Sequence, residues 1–270
     1  NRVRRQRQMC IRDSAIPSSD VIINFSGNDS TEATIVNPTV TFNSTNWNIP
    51  QTINLQVVDD FIFDENQTST ITGSVSSSSD ASFTGAADKS VDVITEDNEV
   101  VDIIVNVLDN LTSESGDTGS FEINLTTEPL SDVFIELTST NELEGVLSTS
   151  VISFNATNWN IPQVVIVTGV DDDPPVSDGA ADYIIVTGNV SSTDDNYGLL
   201  DGSTVDDVNM SNQDNDSPGI ILTVLNDDFS TSESGDYVVV QFSLLSKPDG
   251  GESVTIPLSL DGPANEMDLS

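Results

Sequence analysis

Apolar and polar positions alternate over short runs through most of the chain. Phe121, Ile123 and Leu125 alternate with Glu122 and Asn124, and Val133, Ile135 and Leu137 alternate with Phe134 and Glu136. A period of two over runs of this length, rich in Val, Ile and Thr, predicts half-buried strands. Clusters of turn formers, Ser113 to Asp117 and Ser192 to Asn196, separate the runs. No segment carries a helical stripe. No apolar run reaches the ~18 residues needed to cross a bilayer as a helix.

The strand pattern repeats. Phe42 to Gln51 (Phe-Asn-Ser-Thr-Asn-Trp-Asn-Ile-Pro-Gln) returns 112 positions later as Phe154 to Gln163, with Ala156 replacing Ser44. Thr112 to Asp117 returns as Thr231 to Asp236, and Glu96 to Glu99 corresponds to Gln213 to Asp216. One complete unit therefore spans 100–217. Residues 15–99 match only its later part and 218–270 only its earlier part, so both terminal repeats are expected to be truncated, and only 100–217 is expected to fold alone. About seven short strands in roughly 115 residues predict an all-β chain of tandem immunoglobulin-like sandwiches. A β-helix, whose period would be much shorter, is the second reading.

Composition narrows the chemistry. Acidic residues outnumber basic ones 45 to 7, and there is no histidine. Such a charge excludes nucleic-acid binding, which needs Lys and Arg against phosphates, disfavours anionic membrane surfaces, and favours cations. The one cysteine, Cys10, forbids an internal disulfide and leaves metal ions as the staple. Five of the seven basic residues and Cys10 fall within residues 1–14. There, Met9 to Ser14 reads as one frame of a sequencing-library adapter, so this segment is set apart from the fold.

Trp47 and Trp159 are expected in or beside the core, as are Tyr183 and Tyr197. Pro50 and Pro162 mark strand starts or edges. Without histidine, and with no cysteine beyond the adapter-like segment, Ser-His-Asp, Cys-His and zinc–histidine chemistries are excluded. No phosphate-binding glycine loop is present. The expectation is that the chain is not an enzyme.

The unit resembles the Calx-beta domain. The resemblance is carried by Glu114 in a Ser-Glu-Ser-Gly turn, Val170-Asp171-Asp172-Asp173 after a strand, Asp178-Gly179 with Tyr183, and the closing Asp214-Asn215-Asp216. It extends over nearly all of 15–270 and implies a sandwich that binds calcium at one end through loops and a linker. Carried over by position, the implied ligands are Glu114, Asp171, Asp172, Asp214 and Asp216, with Asp173 and Asp178 as further candidates. The first repeat keeps Asp59, Asp60, Glu65 and Asp97 without the early glutamate, and the third keeps Glu233. The mid-domain aspartate loop of the family has no clear counterpart, since Asn141-Glu142-Leu143-Glu144 stands there.

Calcium takes six to eight oxygen ligands at about 2.3–2.6 Å, more than one loop supplies. Carboxylates from separate loops must converge, and a sandwich gathers its loops at two ends. The expected function is a calcium-binding structural or adhesive repeat region of an extracellular or cell-surface protein, bacterial in type. Its ions would stiffen the junctions between neighbouring repeats. Alternatives are an adhesin module gripping a glycan, protein or matrix ligand, a regulatory calcium sensor, and a plain acidic spacer whose aspartates only form turns.

Overall fold

The structure is a computed structural model and describes residues 16–200, 202–225, 229–232, 234–248 and 252–259. The adapter-like segment 1–14 and Glu233 lie outside the described residues. The chain divides into two compact units, the first ending at Glu99 and the second beginning at Val100.

Unit 1 contains β1 (Val21–Gly27), β2 (Ala33–Ile35), β3 (Thr39–Phe42), β4 (Leu55–Val57), β5 (Gln67–Ser78) and β6 (Lys89–Thr95). They form a four-stranded sheet, β3-β1-β5-β6, and a separate pair, β2-β4.

Unit 2 contains β7 (Ile103–Asp109), β8 (Leu111–Ser113), β9 (Thr118–Leu125), β10 (Val133–Ser139), β11 (Gly145–Leu147), β12 (Val151–Phe154), β13 (Gln163–Gly169), β14 (Ala181–Ser192), the single turn α1 (Asp195–Gly198) and β15 (Val208–Gln213). A five-stranded sheet, β12-β10-β14-β15-β8, faces a four-stranded sheet, β11-β13-β9-β7. A hairpin, β16 (Ile220–Val224) with β17 (Val240–Leu244), follows.

The all-β expectation holds, and the alternation read from sequence is the alternation of burial. Phe121, Ile123 and Leu125 on β9 face Val133, Ile135 and Leu137 on β10, all essentially inaccessible. Each face is apolar because a strand's side chains point to opposite sides in turn. Trp159, Tyr183 and Tyr197 join this core. Tyr197 also ties the loop after β9: its hydroxyl donates to the Thr127 carbonyl at 2.9 Å and accepts from the Thr127 amide at 3.2 Å. β13 begins immediately after Pro162, as a residue without an N–H requires.

The repeated Asn-x-Thr-Asn-Trp segment proves to be a hydrogen-bonded turn. Asn155 Oδ1 accepts from the amide and hydroxyl of Thr157, and the Asn155 amide donates to Asn158 Oδ1 at 2.6 Å. Asn43, Thr45 and Asn46 make the same bonds in unit 1. Gln163 and Gln51 each donate from Nε2 to the carbonyl of the preceding strand, at Ser153 and Thr41. The motif recurs because it builds this connection and aims the tryptophan inward.

The two units match strand for strand where both are present: β3-β1-β5-β6 corresponds to β12-β10-β14-β15, and β2-β4 to β11-β13. Unit 1 has no counterpart of β7, β8 or β9 among the described residues.

Candidate metal centre

In unit 2 the acidic residues gather at one end of the sandwich. β8 pairs in parallel with β15, Thr112 opposite Asn212 and Ser113 opposite Gln213. The Glu114 amide continues that ladder to the Gln213 carbonyl at 3.0 Å. This parallel register carries Glu114, from the start of the unit, beside Asp214 at its close. Beneath them a buried polar network fixes the strand ends: Thr112 Oγ1 donates to Asn212 Oδ1 at 3.0 Å, and Asn212 Nδ2 donates to the Val170 carbonyl at 3.0 Å and to Glu144 Oε2 at 3.1 Å.

Two triads result. Oxygens of Glu114, Asp214 and Asp216 lie within 4.8 Å of one another, as do oxygens of Glu114, Asp172 and Asp178. Glu114, which is 6% exposed, belongs to both. Two oxygens bound to one calcium ion sit at most about 5 Å apart, so each triad already has the needed spacing. The donors are all carboxylate oxygens, which suits a hard cation and not zinc. Asp216 Oδ2 is buried and has no hydrogen-bond partner. An acceptor left so is costly unless a cation or a donor meets it.

Backbone amides orient the cluster. Asn215 N–H donates to Glu114 Oε2 at 2.9 Å, Gly179 N–H to Asp214 Oδ2 at 2.8 Å, and Asp216 N–H to Asp214 Oδ1 at 2.6 Å. Gly179 sits at φ 84°, where only glycine is unstrained, and this turns its amide toward Asp214. These bonds hold the Asp214 carboxyl below its ordinary value. Burial pushes Glu114 up, against the Asn215 amide, and Asp214, Asp172 and Asp216 push it further. Burial also raises Asp172, with Asp178, Asp216, Asp214 and Asp171 adding repulsion. The cluster therefore combines anchored carboxylates with carboxylates that resist ionising without a cation.

The remaining predicted residues stand apart. Asp171 is exposed and meets Asn215 Nδ2 only at 3.5 Å. Asp173 is exposed and belongs to neither triad.

Unit 1 repeats the backbone bonds to the closing aspartate, while the carboxylate triads among the described residues are both in unit 2. Asp97 Oδ2 accepts from the amides of Glu65 and Asp64 at 2.6 and 3.0 Å, and Asp97 Oδ1 from Glu99 at 2.9 Å. Glu65 occupies the place of Gly179 and shares its left-handed backbone, φ 63°. Its contribution is thus an amide, and Asp64 takes the place of Asp178. Glu32, Asp59, Asp60, Asp64, Asp97 and Glu99 line a depression of about 40 Å³. Burial raises Glu32, with Asp64, Asp29, Asp60 and Asp97 adding to it. Burial raises Asp64 as well, followed by Asp60 and Asp97.

Glu32, Asp64 and Glu99 were not among the ligands carried over by position from the resemblance. The structure aligns Glu32 with Glu144, since Val58 and Val170 donate to the carbonyls of Glu32 and Glu144 at 2.9 and 3.1 Å.

No protein-family model matches the chain, and no curated protein matches it. Among solved structures, domains 4 and 5 of the S-layer protein SbsC align over 71% of this chain and 69% of their own at 13% identity, with a TM-score of 0.31. A longer structure, SbsC domains 4–9, aligns over 82% of this chain and 27% of its own length at 15% identity and a TM-score of 0.32. The calcium-binding domain CBD12 of CALX1.1 aligns over 67% of this chain and 71% of its own at 12% identity and a TM-score of 0.29. Similarity at this level positions no residue of the site.

Proposed function

We propose that the chain is a non-catalytic run of Calx-beta-like sandwiches that bind calcium, serving as spacers in a structural or adhesive protein of the cell surface. The observation that carries this reading is the convergence in unit 2 of Glu114, Asp172, Asp178, Asp214 and Asp216 from three separated segments, with an unpartnered oxygen of Asp216 inside the cluster. A cation there would link the closing strand, the loop after β13 and the turn after β8. Because Asp214 and Asp216 lie just before Pro218-Gly219, it would also stiffen the segment leading to β16. Solvent-screened repulsion among the carboxylates would be replaced by attraction to a divalent charge.

Calorimetric titration of the full chain with calcium tests this. The expected result is saturable binding with a higher melting temperature, since a ligand that binds only the folded state stabilises it by mass action. Glu114→Gln combined with Asp172→Asn is expected to remove the unit 2 component. Protection of the 214–219 segment from protease should appear with calcium and vanish in the double variant. No heat and no stabilisation at millimolar calcium would leave the plain acidic spacer. That second reading is favoured by the backbone bonds of Asp97 and Asp214, which are also what turn-forming aspartates make.

A further inference from the structure

Asn212 is an amide inside an apolar sandwich, 1% exposed. The residues before it on the same face of β15, Val208 and Met210, belong to the core. Burying an amide there is costly unless each of its polar atoms is met. All are met: Oδ1 accepts from Thr112 Oγ1, and the two N–H bonds point to the Val170 carbonyl and to Glu144 Oε2. One side chain thereby ties β8, the loop that opens after β13 and the residue before β11 to the end of β15.

The segments that lead to the cluster are tied at one height. Thr112, Val170 and Asn212 each stand two residues before a carboxylate, Glu114, Asp172 and Asp214 in turn. Residues i and i+2 of an extended chain share a face. Burial follows that alternation past the strand ends: Glu114 is buried and Asp172 and Asp214 are half-buried, while Asp171 and Gln213 are exposed. Two residues of extended chain rise ~6.6 Å. Asn212 is therefore too far beneath the carboxylates to be a ligand itself, and what it governs is where the ligands stand.

Unit 1 lacks this junction. Thr95 occupies the place, opposite Gln67 as Asn212 is opposite Ala181. A hydroxyl carries one proton, whereas the Asn212 amide directs two to separate segments. The junction in unit 2 also holds Glu144 by its side chain, and Glu144 belongs to neither carboxylate triad.

We propose that Asn212 is the positioning residue of the unit 2 centre and sets its preference for calcium over magnesium, an inference that rests on the calcium reading of that centre. Calcium accepts irregular shells of oxygens at about 2.3–2.6 Å, whereas magnesium demands a near-octahedral shell at about 2.0–2.1 Å. Segments pinned from beneath keep their spacing and cannot draw in around the smaller ion. Released from Asn212, they close on either ion, and the preference falls. Groups that orient metal ligands from behind change affinity by roughly 10–100-fold.

The test uses the full chain and two readouts. The first is hydrogen exchange in chelator, with no cation present. The Glu114 and Val170 amides, which donate to the Gln213 and Glu144 carbonyls, are expected to exchange about tenfold faster in Asn212→Leu while the amides of β9 keep their protection. The second is calorimetric titration with calcium and with magnesium, taking the component that Glu114→Gln with Asp172→Asn removes. The ratio of the two affinities is expected to fall about tenfold in Asn212→Leu, and to fall less in Thr112→Val, which removes one of the three bonds and carries the test if Asn212→Leu does not fold. Tyr183→Phe removes a buried hydroxyl beside Thr112 and leaves the Asn212 bonds intact, so it should leave the ratio unchanged. Unchanged exchange in Asn212→Leu and Thr112→Val, an unchanged ratio in both, or a ratio moved as far by Tyr183→Phe as by Thr112→Val would overturn the proposal. A parent that binds no calcium would overturn the calcium reading and with it the preference, while the exchange result in chelator still decides whether Asn212 places the carboxylates.

Discussion

Single carboxylates set opposite pH dependences. The Asp80 carboxyl is held down to about 2, first by the Ser18 amide, then by the Ser82 amide and the Ser18 hydroxyl. A depressed folded value contributes stability that is complete above the ordinary value of 3.8 and is lost as pH falls toward 2. Acid titration of unit 1, followed by Trp47 emission in a Trp159→Phe background, should show this loss in the parent and not in Asp80→Asn. Glu114 and Asp172 act in the other direction. Their raised folded values mean that the calcium-free fold keeps protons the unfolded chain has released. Stability therefore falls as pH rises through the interval above the ordinary carboxylate values. Asp172→Asn is expected to raise the calcium-free melting temperature of unit 2 at neutral pH by roughly 2–4 °C for each kcal/mol of repulsion removed, and to leave the melt at pH 4 nearly unchanged.

Residue exchanges between the units are concerted. The Tyr183 ring lies over Gly145, where a Cβ would strike its hydroxyl end, and that hydroxyl meets Thr112 Oγ1 at 3.1 Å. Unit 1 has Ala33 and Ser69 at these places, and Ser69 Oγ is buried with no partner. The expected effect of Ser69→Ala is a small gain in the stability of unit 1, because a buried hydroxyl without a bond costs about 1–3 kcal/mol. A urea midpoint read from Trp47 measures it.

At the level of elements, the strands were legible and the loops less so. Alternation located β9 and β10 because each has one face toward the core. The matching Asn-Trp segments paired the units because their turn is fixed by side-chain bonds that tolerate little change. Asn158→Ala is expected to cost unit 2 about 1–2 kcal/mol by removing the acceptor for the Asn155 amide, seen as a lower urea midpoint of Trp159 emission in a Trp47→Phe background. The site was only partly legible. Glu114, Asp172, Asp214 and Asp216 stood out through repeated turns, but their convergence depends on the parallel β8–β15 register, which no local pattern announces. Asp64 was passed over for Glu65 because the loops after Asp60 and Asp172 differ in length, and only the strand that follows, β5 or β14, restores the alignment. Glu32 was missed because Asp29 to Glu32 and Asn141 to Glu144 share little beyond the final glutamate.

Across the whole molecule, cover decides order. Unit 2 closes its core between two sheets, whereas Ile23, Phe25, Phe42 and Trp47 of unit 1 are only half-buried and Leu222, Val240 and Phe242 of β16–β17 are exposed. Limited proteolysis should leave a resistant core near 100–217 and cut 16–99 and 218–259 first. Equal resistance throughout would mean that 16–99 and 218–259 fold as stably as 100–217.

The parallel pairing of β8 with β15 has a mechanical consequence. Tension along the polypeptide pulls Leu111 toward the chain start and Gln213 toward the chain end. Leu111, Thr112 and Ser113 are held opposite Ser211, Asn212 and Gln213, and the two strands run the same way. The pull therefore slides one strand past the other and loads all the rungs between them together rather than one after another. Strands loaded in this way resist force far better than a hairpin peeled from its end, and the Glu114–Asp214 cluster adjoins the Ser113–Gln213 end of the clamp.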